Sequence, residues 1–157
     1  MVDKPQPLTK EGFVKIEEEL LFLETVRRRD ASVKIHQAKE LSNTQNNAEY
    51  EDAKNEQAMV EGRIIQLQSV LQNATLIDQA SAHKSKNVML GSNVKMKTAE
   101  GKSVEYTIVG PAEADPRAGK ISNESPVGRA LIGKKLNDDV QVNAPKGIIT
   151  YKITKIS

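Results

Sequence analysis

Few residues in this chain have chemistry to offer. They are two histidines, two acidic runs and a strip of amides. His36 and His83 have no ligand partner at metal-binding spacing, and each reads as a surface histidine. Without Cys, neither disulfides nor thiolate metal sites are available. The glycines form neither a phosphate-binding loop nor a dinucleotide fingerprint. Glu17-Glu18-Glu19 and Glu49-Glu51-Asp52 are charge runs of the kind that face solvent on helices. The unusual stretch is ELSNTQNNAEYEDAKNEQ, Glu40 to Gln57. Charged residues crowd both of its sides, yet Ser42 to Asn47 carry none. Asn in such a place commonly shapes a turn or caps a helix.

The flanking elements read as two helices. Thr9 is placed to cap the first after Pro5 and Pro7, with Glu11 in its first turn. Phe13, Ile16, Leu20, Leu23 and Val26 recur at steps of three and four. The seam falters at Arg27-Arg28-Arg29 and resumes out of phase at Ala31, Ile35 and Ala38. The second arm carries Ala53, Gln57, Val60, Ile64, Leu67 and Leu71 in a coiled-coil rhythm. No Pro lies between residues 8 and 110 to force a break. Asn46 followed by Glu49 fits a capping box for the returning helix, so the turn is expected near Leu41–Asn46. An arm from Thr9 to Leu41 is about 50 Å long at 1.5 Å per residue. A hairpin that long, with so thin a core, serves to reach or to space.

Beyond it the pattern changes. The small polar residues of 78–87 read as a linker, between a hairpin over 1–77 and a second domain over 88–157. Strands are expected at Asn87–Lys97, Ser103–Val109, Val140–Ala144 and Ile148–Ile156, the last two turning at Pro145-Lys146-Gly147. SPVGRALIGK reads as a short helix with Ser125 as cap and Pro126 at its first position. The fold class is α+β: a long antiparallel helical hairpin, then a compact α+β domain.

Composition agrees. Of 157 residues, 38% are apolar and only 3% aromatic, which disfavours a large globular core. Residues 1–80 hold 10 Lys/Arg against 14 Asp/Glu, and residues 81–157 hold 13 against 7. A basic half can face nucleic acid or an acidic protein surface, or simply keep the domain soluble. MVDKPQPLTKEG lacks the regions of a secretory signal, and no apolar run approaches the roughly 20 residues of a membrane span. A soluble cytoplasmic monomer is expected.

LTKEGFVKIEEELLFLETVRR, AKE followed by NAEYEDAKNEQAMVEGRI, and ISNESPVGRALIGKK, in that order, resemble the bacterial Gre family of transcription elongation (transcript cleavage) factors, in its GreA branch. The resemblance implies an FKBP-like second domain that docks on RNA polymerase at the rim of its secondary channel, with Ser125 and Pro126 in the docking segment. It implies a coiled coil that passes down the channel and presents acidic residues to the catalytic centre. There they help hold a polymerase-bound Mg²⁺ and an attacking water, so that the polymerase cuts backtracked RNA. Such a factor is an accessory to the polymerase, not an enzyme, and has no cofactor of its own. Lys39 and Lys54 fall in a basic patch implied to face the 3′ end of nascent RNA; judged alone, each is equally a surface ion-pair residue. Arg27-Arg28-Arg29 extends a family VRR and is expected to add positive field along the arm.

The departure is at the tip. The family pattern has Gly-Asp before the turn and Glu three residues after that Asp; this chain has Ser42, Asn43 and Asn46. Mg²⁺ relies on one or two carboxylates with retained waters, and a neutral amide brings no charge. At an effective dielectric of about 20, a unit charge about 4 Å away is worth about 4 kcal/mol, doubled for a divalent ion before desolvation. Three readings stay open: turn-forming amides with no catalytic part, a channel-occupying regulator that does not stimulate cleavage, or a tip in which Glu40 or Glu49 substitutes. Outside the family, a prolyl isomerase is disfavoured because the second domain has only Tyr106 and Tyr151 as aromatics. A coiled-coil holdase would need an exposed apolar patch.

Overall fold

Pro5 and Pro7 keep the chain extended, and β1 (Gln6–Leu8) precedes the first helix. A computed structural model describes residues 4–41 and 47–157. Thr9 is the cap: its Oγ1 accepts the Gly12 amide at 3.0 Å. The helix α1 (Lys10–Phe22) begins there with Glu11 in its first turn and buries Ile16 between half-buried Phe13 and Leu20.

No break interrupts the helix as far as Leu41, but Leu23–Arg27 form a π turn that joins α1 to α2 (Arg28–Leu41). A π turn closes i→i+5 bonds and takes up one residue more than an α turn. That is the origin of the phase slip in the seam. Leu23 and Ala31 are eight residues apart, where two ordinary coiled-coil turns take about seven. With the extra residue absorbed, Ala31 and Ala38 return to the seam and are buried.

The returning helix α3 (Ala48–Gln72) buries Ala53, Val60, Ile64 and Leu67 on the expected face, with Gln57 half-buried among them. The cap differs from the expected one. Asn47, not Asn46, is the N-cap, and its Oδ1 accepts the Tyr50 amide at 3.2 Å. With the cap at Asn47, Tyr50 rather than Glu49 occupies the third helical position, so no carboxylate closes a capping box. The other end of the same amide, Nδ2, donates to the Ala38 carbonyl at 2.8 Å and ties the arms together.

Two compact units result: Phe13–Asn73, and Met1–Gly12 together with Ala74–Ser157. In the second, β1 pairs in parallel with β2 (Ala74–Leu76), and Leu8 is fully buried. The stretch expected as a linker contains α4 (Gln79–Lys84). Asp78 caps it by accepting the Ser81 amide at 3.1 Å and the Ser81 hydroxyl at 2.6 Å, and Ala82 is buried.

β3 (Asn93–Thr98), β4 (Ser103–Val109), β5 (Lys120–Ser122), β6 (Asp139–Ala144) and β7 (Gly147–Ile156) form one mixed sheet in the order β5-β4-β3-β7-β6. Only β4–β5 is parallel. The β6–β7 hairpin turns over Pro145-Lys146, as expected. The helix α5 (Pro126–Leu131) lies between β5 and β6 in sequence, and its Leu131 joins Val94, Met96, Ile108, Val140 and Ile153 in the core.

Glu113 sits in the 3-10 turn Pro111–Glu113 with its side chain only 7% exposed. One carboxylate oxygen accepts the Thr9 amide at 3.0 Å, and the other accepts the Thr9 hydroxyl. An anion is favoured at a helix N-terminus by the free amides and the dipole. Gly12 makes room for it, since a Cβ there would overlap the Glu113 carboxyl. Replacing Gly by Ala in a helix usually stabilises, by up to about 1 kcal/mol. Here Gly12→Ala is expected to destabilise by about 1–3 kcal/mol, the scale of lost hydrogen bonds to a charged group. In a Glu113→Ala background the same change should become neutral or stabilising. Urea unfolding of the four proteins in the cycle measures this sign reversal.

Candidate functional site at the end of the hairpin

Asn43 and Asn46, where the resemblance leads one to expect acids, lie outside the described residues. The residues that flank them are well placed for comparison. Glu40, in the last turn of α2, has its carboxylate 3.2 Å from His36 Nε2, both side chains being more than two-thirds exposed. Glu49 is exposed in the first turn of α3, where the helix dipole favours it. Among the described residues, no group of three or more His, Cys, Asp or Glu is arranged to hold a metal ion.

The cations divide into two sets. Farther down the arms four of them are paired with glutamates. Lys34 reaches Glu56 at 2.7 Å and Arg27 reaches the same carboxylate at 3.0 Å; Arg28 meets Glu61 at 2.7 Å and Arg63 meets Glu19 at 2.7 Å. The positive field expected from Arg27-Arg28-Arg29 is therefore largely cancelled at its first two members. Nearer the tip, Lys39 and Lys54 have no carboxylate within 4.0 Å among the described residues. Their Nζ atoms lie 5.7 and 5.2 Å from the centre of the Tyr50 ring, within cation–π range. Tyr50 was not singled out by sequence reasoning. Its spacing of four from Lys54 on one helix was the available signal.

In the second unit, Ser125 is the cap of α5. Its Oγ accepts the Gly128 amide at 3.0 Å and donates to the Ser122 carbonyl at 2.7 Å, so the hydroxyl is fully engaged in local structure. A side chain at Gly128 would overlap that carbonyl. Pro126 is exposed beside it. An open groove nearby is lined by Met89, Leu90, Asn123, Arg129 and Ile132. Asn123 Oδ1 is buried without a hydrogen-bond partner among the described residues. Sequence reasoning passed over these five because the chain brings Met89 and Leu90 to α5 only through tertiary packing. Tyr106 and Tyr151 pack against the core cluster and leave no aromatic ring for an isomerase pocket.

Lys34, through its hydrogen bond above all, holds the Glu56 carboxyl below its ordinary value, with Arg27 adding to the effect. Arg28 does the same for Glu61. Both groups have depressed values in the folded chain, so their stabilisation is complete above the ordinary glutamate value of about 4.3 and is lost as pH falls through the lower folded values. The melting temperature of the helical signal should therefore fall as pH is lowered from about 5 towards about 2. The fall should be smaller in Glu56→Gln/Glu61→Gln and in about 1 M salt. Circular dichroism at 222 nm (the usual helix band, about 222 nm) follows it.

Comparison with known proteins matches this geometry to a family. A family model described as transcription elongation factor, GreA/GreB, C-terminal, matches residues 83–157, and one described as transcription elongation factor, N-terminal, matches residues 6–76. A transcription elongation factor GreA of Clostridium botulinum (strain Kyoto / Type A2) is 50% identical over 155 residues, covering 98% of this chain and 96% of that protein. That of Thermoanaerobacter pseudethanolicus is 49% identical over 156 residues, covering 99% of both. Among solved structures, GreA factor homolog 1 of Thermus thermophilus is 29% identical with a TM-score of 0.46, covering 98% of this chain and 99% of that one. On the two family matches and these full-length identities, the chain belongs to the GreA/GreB family of transcription elongation factors.

Proposed function

We propose that this chain binds bacterial RNA polymerase in its secondary channel and acts on backtracked or arrested complexes, with cleavage stimulation weak or absent. Family members are accessory factors, so the polymerase supplies any hydrolysis. The second unit is the docking domain in this reading, of FKBP-like architecture. Its mixed sheet, and the open groove beside exposed Pro126, support that assignment. The hairpin is the probe that enters the channel, with Lys39 and Lys54 toward the RNA 3′ end.

The observation that carries the reading is the pairing of a hairpin frame with amides, Asn43 and Asn46, where the resemblance implies acids. Two-metal hydrolysis needs anionic oxygens that hold a hard cation near the scissile phosphate. Asn can offer an oxygen to Mg²⁺ but neither a charge nor a base for water. Glu40, whose contact with His36 is an ion pair only when the imidazole is protonated, and Glu49, in no ion pair among the described residues, are the acids beside the turn. A cleaving tip would have to draw on one of them.

A stalled, backtracked elongation complex tests this directly by following RNA length. The chain should bind and shorten the RNA little at neutral pH. Asn43→Asp with Asn46→Glu should raise the cleavage rate by about 100-fold, equivalent to about 3 kcal/mol of restored transition-state stabilisation. Rapid release of short 3′ fragments by the unaltered chain would sink the non-cleaving reading, and its loss in Glu49→Gln would identify the substitute acid. Failure to bind polymerase would overturn the proposal as a whole.

A further inference from the structure

We propose that Tyr50 is a positioning residue that gathers the Lys39 and Lys54 ammonium groups into one phosphate clamp for single-stranded RNA. This deepens the reading above and rests on it. Lys39 comes from α2, whereas Tyr50 and Lys54 come from α3, so the ring links cations from opposite arms. Its hold on Lys54 follows from their spacing of four on one helix face.

The placement is braced. Asn47 Oδ1 accepts the Tyr50 amide, while Asn47 Nδ2 donates to the carbonyl of Ala38, the residue before Lys39. One side-chain amide thus fixes the backbone beneath both the ring and the first lysine. A neutral ring attracts two ammonium groups through its quadrupole but cannot cancel their charge. Two like charges held near one ring, without a carboxylate among the described residues, leave a local positive potential that an anion relieves. Lys15 and Arg29 also lack a carboxylate within 4.0 Å among the described residues, yet neither is in a cation–π contact with a ring there.

The ligand chemistry is phosphate. Lysines offer point charges without a fixed fork, so they suit successive phosphates of a flexible strand better than one rigid bidentate group. Free nucleoside triphosphate shares that chemistry; the extruded RNA 3′ segment is the occupant assigned here, because the hairpin end is the part presented to it.

The test compares binding of the full chain to backtracked and non-backtracked complexes of the same polymerase over a series of salt concentrations, with melting curves to confirm folding. Tyr50→Leu should weaken binding to the backtracked complex about fivefold to tenfold and flatten its salt dependence, leaving the non-backtracked complex unaffected. Tyr50→Phe, which keeps the ring, should behave as the unaltered chain. In Lys39→Gln/Lys54→Gln, Tyr50→Leu should add nothing. The inference is overturned if Tyr50→Leu matches the unaltered chain, if Tyr50→Phe is as weak as Tyr50→Leu, or if both complexes are weakened alike. It is also overturned if the unaltered chain binds both complexes equally, or if added nucleoside triphosphate displaces no RNA contact yet binds in a Tyr50-dependent manner. Absence of binding to either complex is the separate failure of the polymerase reading itself.

Discussion

A pair of helices has a single seam to bury, and everything in this protein's long hairpin answers to that limit. Ile16, Ile64 and Leu67 are buried in the half away from the turn, but toward the turn the buried positions beyond Val60 are Ala31, Ala38 and Ala53. Each alanine removes little more than a methyl group from water, about 0.8 kcal/mol per carbon at most. The end near the turn is thus the end least held by apolar burial. Polar devices take over there. Glu56 collects a cation from each of two turns of the opposing arm, and Asn47 joins the arms with one amide. Exposed ion pairs are individually weak and salt-sensitive, so the hydrogen bond of Asn47 to a main-chain carbonyl is the more dependable tie.

The other extremity of the hairpin has a different solution. The residues before α1 and after α3 lie side by side as β1 and β2, with Leu8 buried. Glu113 then places a carboxylate where the first turn of α1 has free amides.

Charge follows the same division of labour. Acids and bases neutralise one another along the arms, whereas two lysines near the turn are held on an aromatic ring instead.

Local rules were legible in the sequence wherever one residue acts on its near neighbours. Thr9 and Ser125 cap the helices they were expected to cap, and β4 spans the expected residues. The α3 seam is buried as its spacing predicts. The irregular seam of the first arm was visible as a fault, but its cause was not. A π turn wins there because the facing helix rewards the return of Ala31 and Ala38 to the seam, and propensity in one strand of sequence carries no term for that. The adjacent amides Asn46 and Asn47 are equivalent by composition, and only the opposing Ala38 carbonyl selects the second as cap. Residues 78–87 looked featureless because α4 owes its stability to burial of Ala82 rather than to an apolar period of its own.

By itself, then, the sequence determined the helical hairpin, the α+β second half, the family and the absence of the expected acids, all of which are written in residue types and spacings of a few positions. The tertiary structure alone decided that Glu113 caps a helix more than a hundred residues away, that Met89 meets Arg129 and Asn123 around one groove, and that Tyr50 gathers lysines from two arms. Contacts of that kind depend on which surfaces burial and hydrogen bonding bring together, and no local period encodes them.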